Sequence, residues 1–285
     1  MLKRPSAILL LPGCITVAAL LLLPVLYLFG LSLNPPVTGE VELSTTLTAR
    51  NYLRLLDWFY LRVLFKTIWI SALTTVIAGV LGVALSLSLW RTSARWRSLL
   101  LVVVIAPLLV SIVARTFGWM LLLGDNGVIN SLLASFGLVD GPLRMMFTQG
   151  AVVVGLVHVF LPFMVLCVMA AFDRIDPAVP EAAETLGAGP FTVFWDVILP
   201  QLNPGIAAGV SIVFSLAMSS YVTPALMGGP NAGVMTTLIY QQLVVTYDWH
   251  FAAALVAVLL ATTLLLLAGF LYTNARRTRA WMVRQ

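Results

Sequence analysis

The sequence predicts an all-α integral membrane protein with six transmembrane helices. Of its 285 residues, 61% are hydrophobic and 9% are charged, whereas a soluble domain carries about 25% charged residues. A helix that crosses a membrane needs roughly 20 apolar residues, and all eleven acidic residues fall outside the runs that reach this length. We therefore expect a single transmembrane domain over residues 1–285, with spans at residues 7–31, 65–90, 98–123, 149–172, 204–226 and 251–273.

Three of these runs carry features that bear on how they cross the membrane. The first follows Lys3 and Arg4, as the apolar part of a signal peptide would. It is longer than the roughly 7–15 residues of such a segment, and no small-residue cleavage site follows it cleanly, so we expect an uncleaved helix. The third and fourth runs contain Pro107 and Pro162, and we expect kinks where proline frees backbone groups for other partners.

The distribution of basic residues predicts that both ends of the chain are cytoplasmic. Six spans place the two ends on one side, where ten Lys and Arg residues fall, against five on the other side. An excess of basic residues marks the cytoplasmic side. The ten are Lys3, Arg4, Arg91, Arg95, Arg97, Arg174, Arg276, Arg277, Arg279 and Arg284, and the five are Arg50, Arg54, Arg62, Lys66 and Arg144.

Two of the outer segments contain turn and helix signals. Between the third and fourth spans, Asn126-Gly127 and Gly141-Pro142 are typical of turns. Between the fifth and sixth spans, Gly228-Gly229-Pro230 is followed by a stretch from Val234 to Val245 that is compatible with a helix. The first outer segment, residues 32–64, is polar and mixed.

Residues 173–203 predict two short helices on the cytoplasmic side. Asp176-Pro177 and Val179-Pro180 each place a proline at a suitable first helical position. Glu181 and Glu184 then favour the positive N-terminal end of the helix dipole. Gly187 suits the left-handed residue that ends a helix, because it has no Cβ to oppose a positive φ.

The second short helix is expected to begin at Gly189-Pro190. Leu199-Pro200 is expected to end it, and Asn203-Pro204 to cap the fifth span. Its apolar stripe has helical spacing, which an ordinary amphipathic interfacial helix would also show. The stripe consists of Phe191, Phe194, Val197 and Ile198.

The same loop carries a motif of fixed offsets. It reads Glu181-Ala182-Ala183-Glu184-Thr185-Leu186-Gly187, then nine residues, then Val197-Ile198-Leu199-Pro200. This pattern resembles the EAA loop of inner-membrane permease subunits of binding-protein-dependent ABC importers, with Val197 at the position that is usually isoleucine. The resemblance implies that the loop couples the permease to an ATPase through Glu181, Ala182, Ala183, Gly187, Val197, Leu199 and Pro200.

Other stretches resemble the spermidine/putrescine-type branch of these importers. They include Arg115-Thr116-Phe117-Gly118-Trp119 and the segment from Ser220 to Pro230. The resemblance implies a polyamine solute, with amino-acid-like or other small organic solutes as the alternative. Many relatives carry an acidic residue just before the Tyr221-Val222-Thr223-Pro224 stretch, where this chain has Ser219-Ser220. The charge partner is then expected from a second subunit, or the solute differs.

The candidate residues of the solute path have competing structural interpretations. Arg115 lies near the outer end of the third run and can either snorkel to the interface or contact solute. His158 lies near mid-membrane and can either bond between helices or act on solute. Asp125 suits a turn. The full candidate set is Tyr221, Trp119, Ser220, Asp125, Arg115 and His158.

Several function classes are disfavoured by what the sequence lacks. No Gly-x4-Gly-Lys-Ser/Thr phosphate loop occurs, so we expect a non-enzymatic transport subunit without cofactor, with ATP bound by a partner. An ion-coupled porter usually needs Asp or Glu within its spans. The His and Cys residues, His158, His250, Cys14 and Cys167, form no cluster for a metal site or catalytic set.

The resemblance also implies the partners and the location. They are a second, non-identical permease subunit, two ATPase subunits, an extracytoplasmic solute-binding protein and the lipid of the bacterial inner membrane. Nucleic acid is not expected, because the basic residues flank the spans and do not form one patch.

Overall fold

The computed structural model describes residues 5–35, 46–139, 141–229 and 232–282, with side chains over 11–35, 46–139, 141–229 and 232–276. The charges at Lys3, Arg4 and Arg284 and the turn residue Pro230, which entered the sequence-based predictions, lie outside the described residues.

The described chain is helical, as predicted. Its α-helices are α1 (Pro5–Ser32), α2 (Arg50–Leu55), α3 (Trp58–Arg91), α4 (Ala94–Ile105), α5 (Ile112–Leu123), α6 (Val128–Ser135), α7 (Gln149–Phe172), α8 (Ala178–Thr185), α9 (Pro190–Thr192), α10 (Leu199–Ser219), α11 (Val222–Met227), α12 (Met235–Val244) and α13 (Trp249–Met282). A 3₁₀ turn at Ala106–Leu109 follows α4, and a π-helical turn at Val193–Ile198 joins α9 to α10. Within the described residues, five stretches are long and apolar enough to cross a membrane, and a bent pair of helices makes a sixth if it is counted as one span.

Backbone contacts divide the chain into two compact units. The first unit comprises Met1–Arg62 and Met235–Thr262, and the second comprises Val63–Val234 and Thr263–Gln285. The first contains α1, α2 and α12 with the beginnings of α3 and α13, and the second contains the remaining helices. The prediction of a single domain stays a prediction.

Helix α7 is the centre of the second unit. Leu156, Met164 and Phe172 are fully buried along its length. Its neighbour α10 approaches through Gly205, where an added Cβ would lie 2.5 Å from the Cβ of Ala171 and 2.7 Å from a backbone carbonyl of α7. Small residues at such contacts let transmembrane backbones approach closely, and the resulting van der Waals packing holds the helices together.

The third predicted span, residues 98–123, is broken into two helices. The 3₁₀ turn ends at Leu109, Val110 is extended (φ −93°, ψ 138°), and the axis turns by 98° between Ala94–Leu109 and Ile112–Ser135. Pro107 lies in the 3₁₀ turn, and proline removes a helical hydrogen bond and clashes with the preceding turn. The kink expected at Pro107 is therefore confirmed. Pro162 lies inside the continuous helix α7, and a kink there stays a prediction.

The observed helix begins and ends earlier in the chain than the fifth predicted span, residues 204–226. Helix runs without interruption over Pro190–Ser219, so Pro200 does not end a short helix and Asn203-Pro204 does not cap a new one. The π-helical turn ends at Ile198, two residues before Pro200, and its wider backbone leaves room for a proline ring that an α-helical turn would crowd. The helix ends instead at Ser220, which is extended (φ −70°, ψ 128°).

Candidate functional site

Helix α8 carries the first half of the coupling motif and has defined ends. The Asp176 carboxylate accepts a hydrogen bond from the Ala178 N–H (3.0 Å) at its start. Beyond its end, the predicted left-handed glycine is observed, with φ +90° at Gly187. The Gly187 N–H donates to the carbonyl of Glu184 (2.9 Å) and the Ala188 N–H to that of Ala183 (3.0 Å), which is the Schellman pattern of helix termination.

The coupling segment, defined as residues 176–200, exposes apolar side chains. Leu186 is 88% exposed and Phe191 is 74% exposed, although both are of the size that proteins usually bury. Of the motif residues, Glu181, Ala182 and Gly187 are exposed. The remaining ones, Ala183, Val197, Leu199 and Pro200, are half-buried.

The apolar stripe of the second half differs from the prediction. The buried residues are Val193 and Ile198, whereas Phe191 faces out and Val197 is half-buried. The π-helical turn explains the change, because its i→i+5 hydrogen bonds bring residues five apart onto one face. α-Helical spacing of the apolar residues therefore does not predict that Val193 is buried.

The coupling segment lies at the same end of the second unit as the C-terminus of α3. A cleft of about 390 Å³ is lined by Trp90 and Arg91 of α3 together with Glu181 and Glu184 of α8. Trp90 stacks on Phe172, the last residue of α7, with ring centroids 5.3 Å apart. Arg97 and Asp173 form an ion pair at the same end.

A second set of candidate residues meets where α5, α7 and α11 come together. The Trp119 indole N–H donates to His158 Nδ1 at 3.1 Å, which is the bond between helices that one interpretation of His158 required. The hydroxyl oxygens of Thr116 and Thr223 lie 3.5 Å apart. Gly155 of α7 makes this approach possible, because an added Cβ would lie 2.7 Å from the Thr223 side chain.

Arg115 occupies the first turn of α5, directly after the bend. Its Nε and Nη1 atoms are buried, and neither has a hydrogen-bond partner among the described residues. The position near the outer end of a span that the sequence predicted for Arg115 assumed one unbroken helix, and the bend removes that assumption. Ser220 is buried and Tyr221 half-buried in the break between α10 and α11.

Asp125 stays apart from this set in a turn, as its local sequence predicted. The Gly127 N–H donates to the Gly124 carbonyl at 2.8 Å, and Asp125 is exposed between them. Sequence reasoning missed Asn130, which is 4% exposed and whose amide nitrogen donates to the carbonyls of Gly124 and Leu143, both at 3.0 Å. Thr116 and Thr223 were also missed, although both lie inside stretches singled out for their family resemblance.

A larger groove in the second unit does not involve the solute-path candidates. It has a volume of about 820 Å³ and is lined by apolar side chains of α3, α10 and α13.

The family described as the inner membrane component of binding-protein-dependent transport systems matches residues 43–279. This chain belongs to that family. It is therefore a permease subunit of an ABC importer, a non-catalytic multi-pass component of the inner membrane. Importers of this type combine permease, ATPase and binding protein.

Relatives of the permease include transport proteins of several bacteria. It is 32% identical to the spermidine/putrescine transport system permease protein PotB of Haemophilus influenzae, over 81% of this chain and 80% of that protein. It is 35% identical to PotB of Escherichia coli K12, over 73% of this chain and 75% of that protein. It is 30% identical to the molybdenum transport system permease protein ModB of Mycobacterium bovis, over 70% and 75% of the two chains.

Solved structures share the fold at lower identity. The permease resembles a chain of a bacterial alginate ABC transporter in complex with its pentasaccharide-bound periplasmic protein, with TM-score 0.79, 19% identity and coverage of 96% and 94% of the two chains. It also resembles a chain of the MetNI methionine transporter, with TM-score 0.52, 18% identity and coverage of 79% and 99%. At these identities the likeness concerns the fold.

Proposed function

We propose that this permease is half of the membrane-spanning part of an importer for small amines such as putrescine and spermidine. The observation that carries the proposal is the 32% and 35% identity to spermidine/putrescine permeases over most of the chain. Trp119 and Tyr221 would offer aromatic faces to an organic cation, an attraction of about 0.5–2 kcal/mol per contact. A dication that leaves water needs more compensation than this.

A second, non-identical permease subunit is proposed to supply that compensation. The helices that this chain contributes to the membrane contain no Asp or Glu outside the coupling segment. Of the two charged candidates, Asp125 lies apart in an exposed turn, and Arg115 is itself cationic. An acidic group on the partner would serve the solute and would also give the Arg115 guanidinium a counter-charge.

The coupling segment is proposed to pass the movement of two ATPase subunits to the spans. ATP-driven closure of the ATPases would move the two coupling segments of the permease pair, and the path would then open to the opposite side. Two features support this role. Leu186 and Phe191 stand exposed on the segment, and the helix behind them continues from Pro190 to Ser219 without a break.

We further propose that the coupling segment and both chain ends are cytoplasmic. The excess of basic residues on that side supports this orientation. An extracytoplasmic solute-binding protein would then deliver solute to the opposite face.

A second candidate function is import of amino-acid-like or other small organic solutes. The specific observation that favours it is Arg115, whose buried guanidinium atoms would suit a carboxylate group on the solute better than an ammonium group.

Uptake by the complete importer would decide between the two solute classes. Labelled putrescine and spermidine should enter proteoliposomes that contain both permeases, the ATPase and the binding protein, in an ATP-dependent manner. Tyr221→Ala should slow this uptake, while Tyr272→Ala, at an exposed tyrosine near the end of α13, should not. If amines neither enter nor compete, the amine assignment is wrong. If they enter equally well in Tyr221→Ala, the aromatic contact is wrong and the solute class stands.

A further inference from the structure

Helix α2 is tied to the end of α1 by buried hydrogen bonds. The Asn51 side-chain nitrogen donates to the carbonyls of Ser32 (3.0 Å) and Asn34 (2.8 Å). The hydroxyl oxygens of Tyr52 and Ser32 lie 2.7 Å apart. Asn51 is 1% exposed, so these bonds are shielded from water and hold α2 at the level where α1 ends.

The same short helix is tied to the beginning of α13. Arg54 donates to the Asp248 carboxylate at 2.9 Å, and its guanidinium lies over the Phe251 ring at 4.0 Å from the centroid. Asp248 also accepts from the Phe251 N–H at 3.1 Å. Because α1 ends and α3 and α13 begin around α2, this helix lies at the membrane interface.

The outward side of this region is apolar and aromatic. Leu53 and Leu56 are both 66% exposed, Trp58 is 68% exposed and Phe59 is 54% exposed. Aromatic rings at helix ends are enriched at the level of lipid headgroups. We call these four residues, together with Arg50 and Arg62, the α2 patch.

The charge of the patch identifies the kind of lipid. Arg50 and Arg62 are exposed, and the Arg62 guanidinium lies over the Trp58 ring at 5.4 Å from the centroid. Of the nearby acids, Asp248 is paired with Arg54, and Asp57 accepts from the Phe59 N–H at 2.8 Å. Basic residues on the outer side run against the usual bias of membrane proteins, and four of the five such residues here lie within residues 50–66.

We propose that the α2 patch binds an anionic phospholipid of the leaflet in which α1 ends. The lipid phosphate pairs with Arg50 and Arg62, and its glycerol and upper acyl region covers Leu53, Leu56, Trp58 and Phe59. When this lipid is bound, α2 holds the end of α1 and the beginnings of α3 and α13 at the same depth in the membrane.

Photo-crosslinking identifies what covers the patch. A p-benzoylphenylalanine at position 56, in the permease assembled with its natural partners in cells, should form an adduct with phospholipid after irradiation. Leu138, which is 68% exposed in the loop after α6, is the matched control position. A polypeptide adduct at position 56, whether to the binding protein or to the second permease, would overturn the proposal.

Charge variants test the preference for anionic lipid. In nanodiscs of phosphatidylethanolamine and phosphatidylglycerol at 3:1, native mass spectrometry should find phosphatidylglycerol enriched on the intact complex. The double variant Arg50→Gln/Arg62→Gln should weaken this retention about thirty-fold, since each basic residue near a membrane surface contributes roughly a factor of five. Arg144→Gln, at an exposed arginine outside the patch, should leave it unchanged. Equal retention in the double variant, or no enrichment in the unmodified protein, would overturn the proposal.

Discussion

Helix α7 and the coupling segment follow one another along the chain but differ in how far their apolar side chains are buried. In an apolar stretch of 18 residues within α7, 67% of the residues are buried by the rest of the chain. In the coupling segment, Leu186 and Phe191 remain exposed. The contrast separates a helix that the chain's own fold covers from a segment whose apolar side chains the chain leaves exposed, as the proposed ATPase contact requires.

The largest effect is expected from crowding the contact between α7 and α10. Gly205→Ala would bring a Cβ to 2.7 Å from the Cys167 carbonyl oxygen, and backbone cannot move aside as a flexible side chain can. Overpacking of this kind typically costs about 1–3 kcal/mol, so the melting temperature of the purified complex should fall by several degrees. Gly269→Ala in α13 is the matched control, because nothing lies within 4 Å of its added Cβ. Equal melting temperatures for the two variants would contradict close packing here.

The next effect should separate assembly from coupling. Open space surrounds Gly187, so a substitution there acts through its φ of +90° and not through crowding. Gly187→Val should assemble at normal levels but lose at least about tenfold in uptake, because a β-branched residue resists the left-handed region by roughly 1–2 kcal/mol. Gly187→Asn, which adds a Cβ but tolerates this region, should retain most uptake. Loss of uptake in both variants, or in neither, would show that uptake does not depend on the left-handed backbone conformation at Gly187.

A smaller effect is expected at the exposed leucine of the coupling segment. Leu186 is 88% exposed, so Leu186→Ser removes little burial within the chain and the melting temperature of the permease should change little. If an ATPase covers Leu186, the amount of ATPase that co-purifies should fall about tenfold, since burial of a leucine contributes roughly 1.5–3 kcal/mol. Leu138→Ser, at a comparably exposed leucine after α6, should leave the ATPase bound. Normal co-purification of Leu186→Ser would show that the partner docks elsewhere.

The smallest effect concerns the hydrogen bond that joins α5 to α7. Trp119→Phe keeps an aromatic ring but removes the donor to His158. Hydrogen bonds between membrane helices contribute about 0.6 kcal/mol on average, so a thermodynamic cycle with His158→Leu should give a coupling energy of that size. A coupling energy near zero would mean that the bond is not a stabilising contact of α7.

The sequence by itself determined the class of the protein, most of its spans and the ends of α8. Long apolar runs without acidic residues predict spans whatever their neighbours, because a helix of about 20 apolar residues matches the thickness of the hydrocarbon core. Residues 149–172 and α7 coincide for this reason. The left-handed Gly187 was equally predictable, since the penalty on a Cβ at positive φ is local to one residue. The helix after Val234 also follows from local pattern.

The tertiary structure decided the features that depend on how backbones approach one another. The bend of 98° after Leu109 and the π-helical turn before Pro200 both arise where proline removes hydrogen bonds, and its sequence position does not say whether a helix kinks, breaks or continues. Val193 became buried because the π-helical turn changed which residues share a face. The tether of α2 through Asn51 and Arg54 joins residues far apart in the chain, and only folding brings such polar partners together away from water.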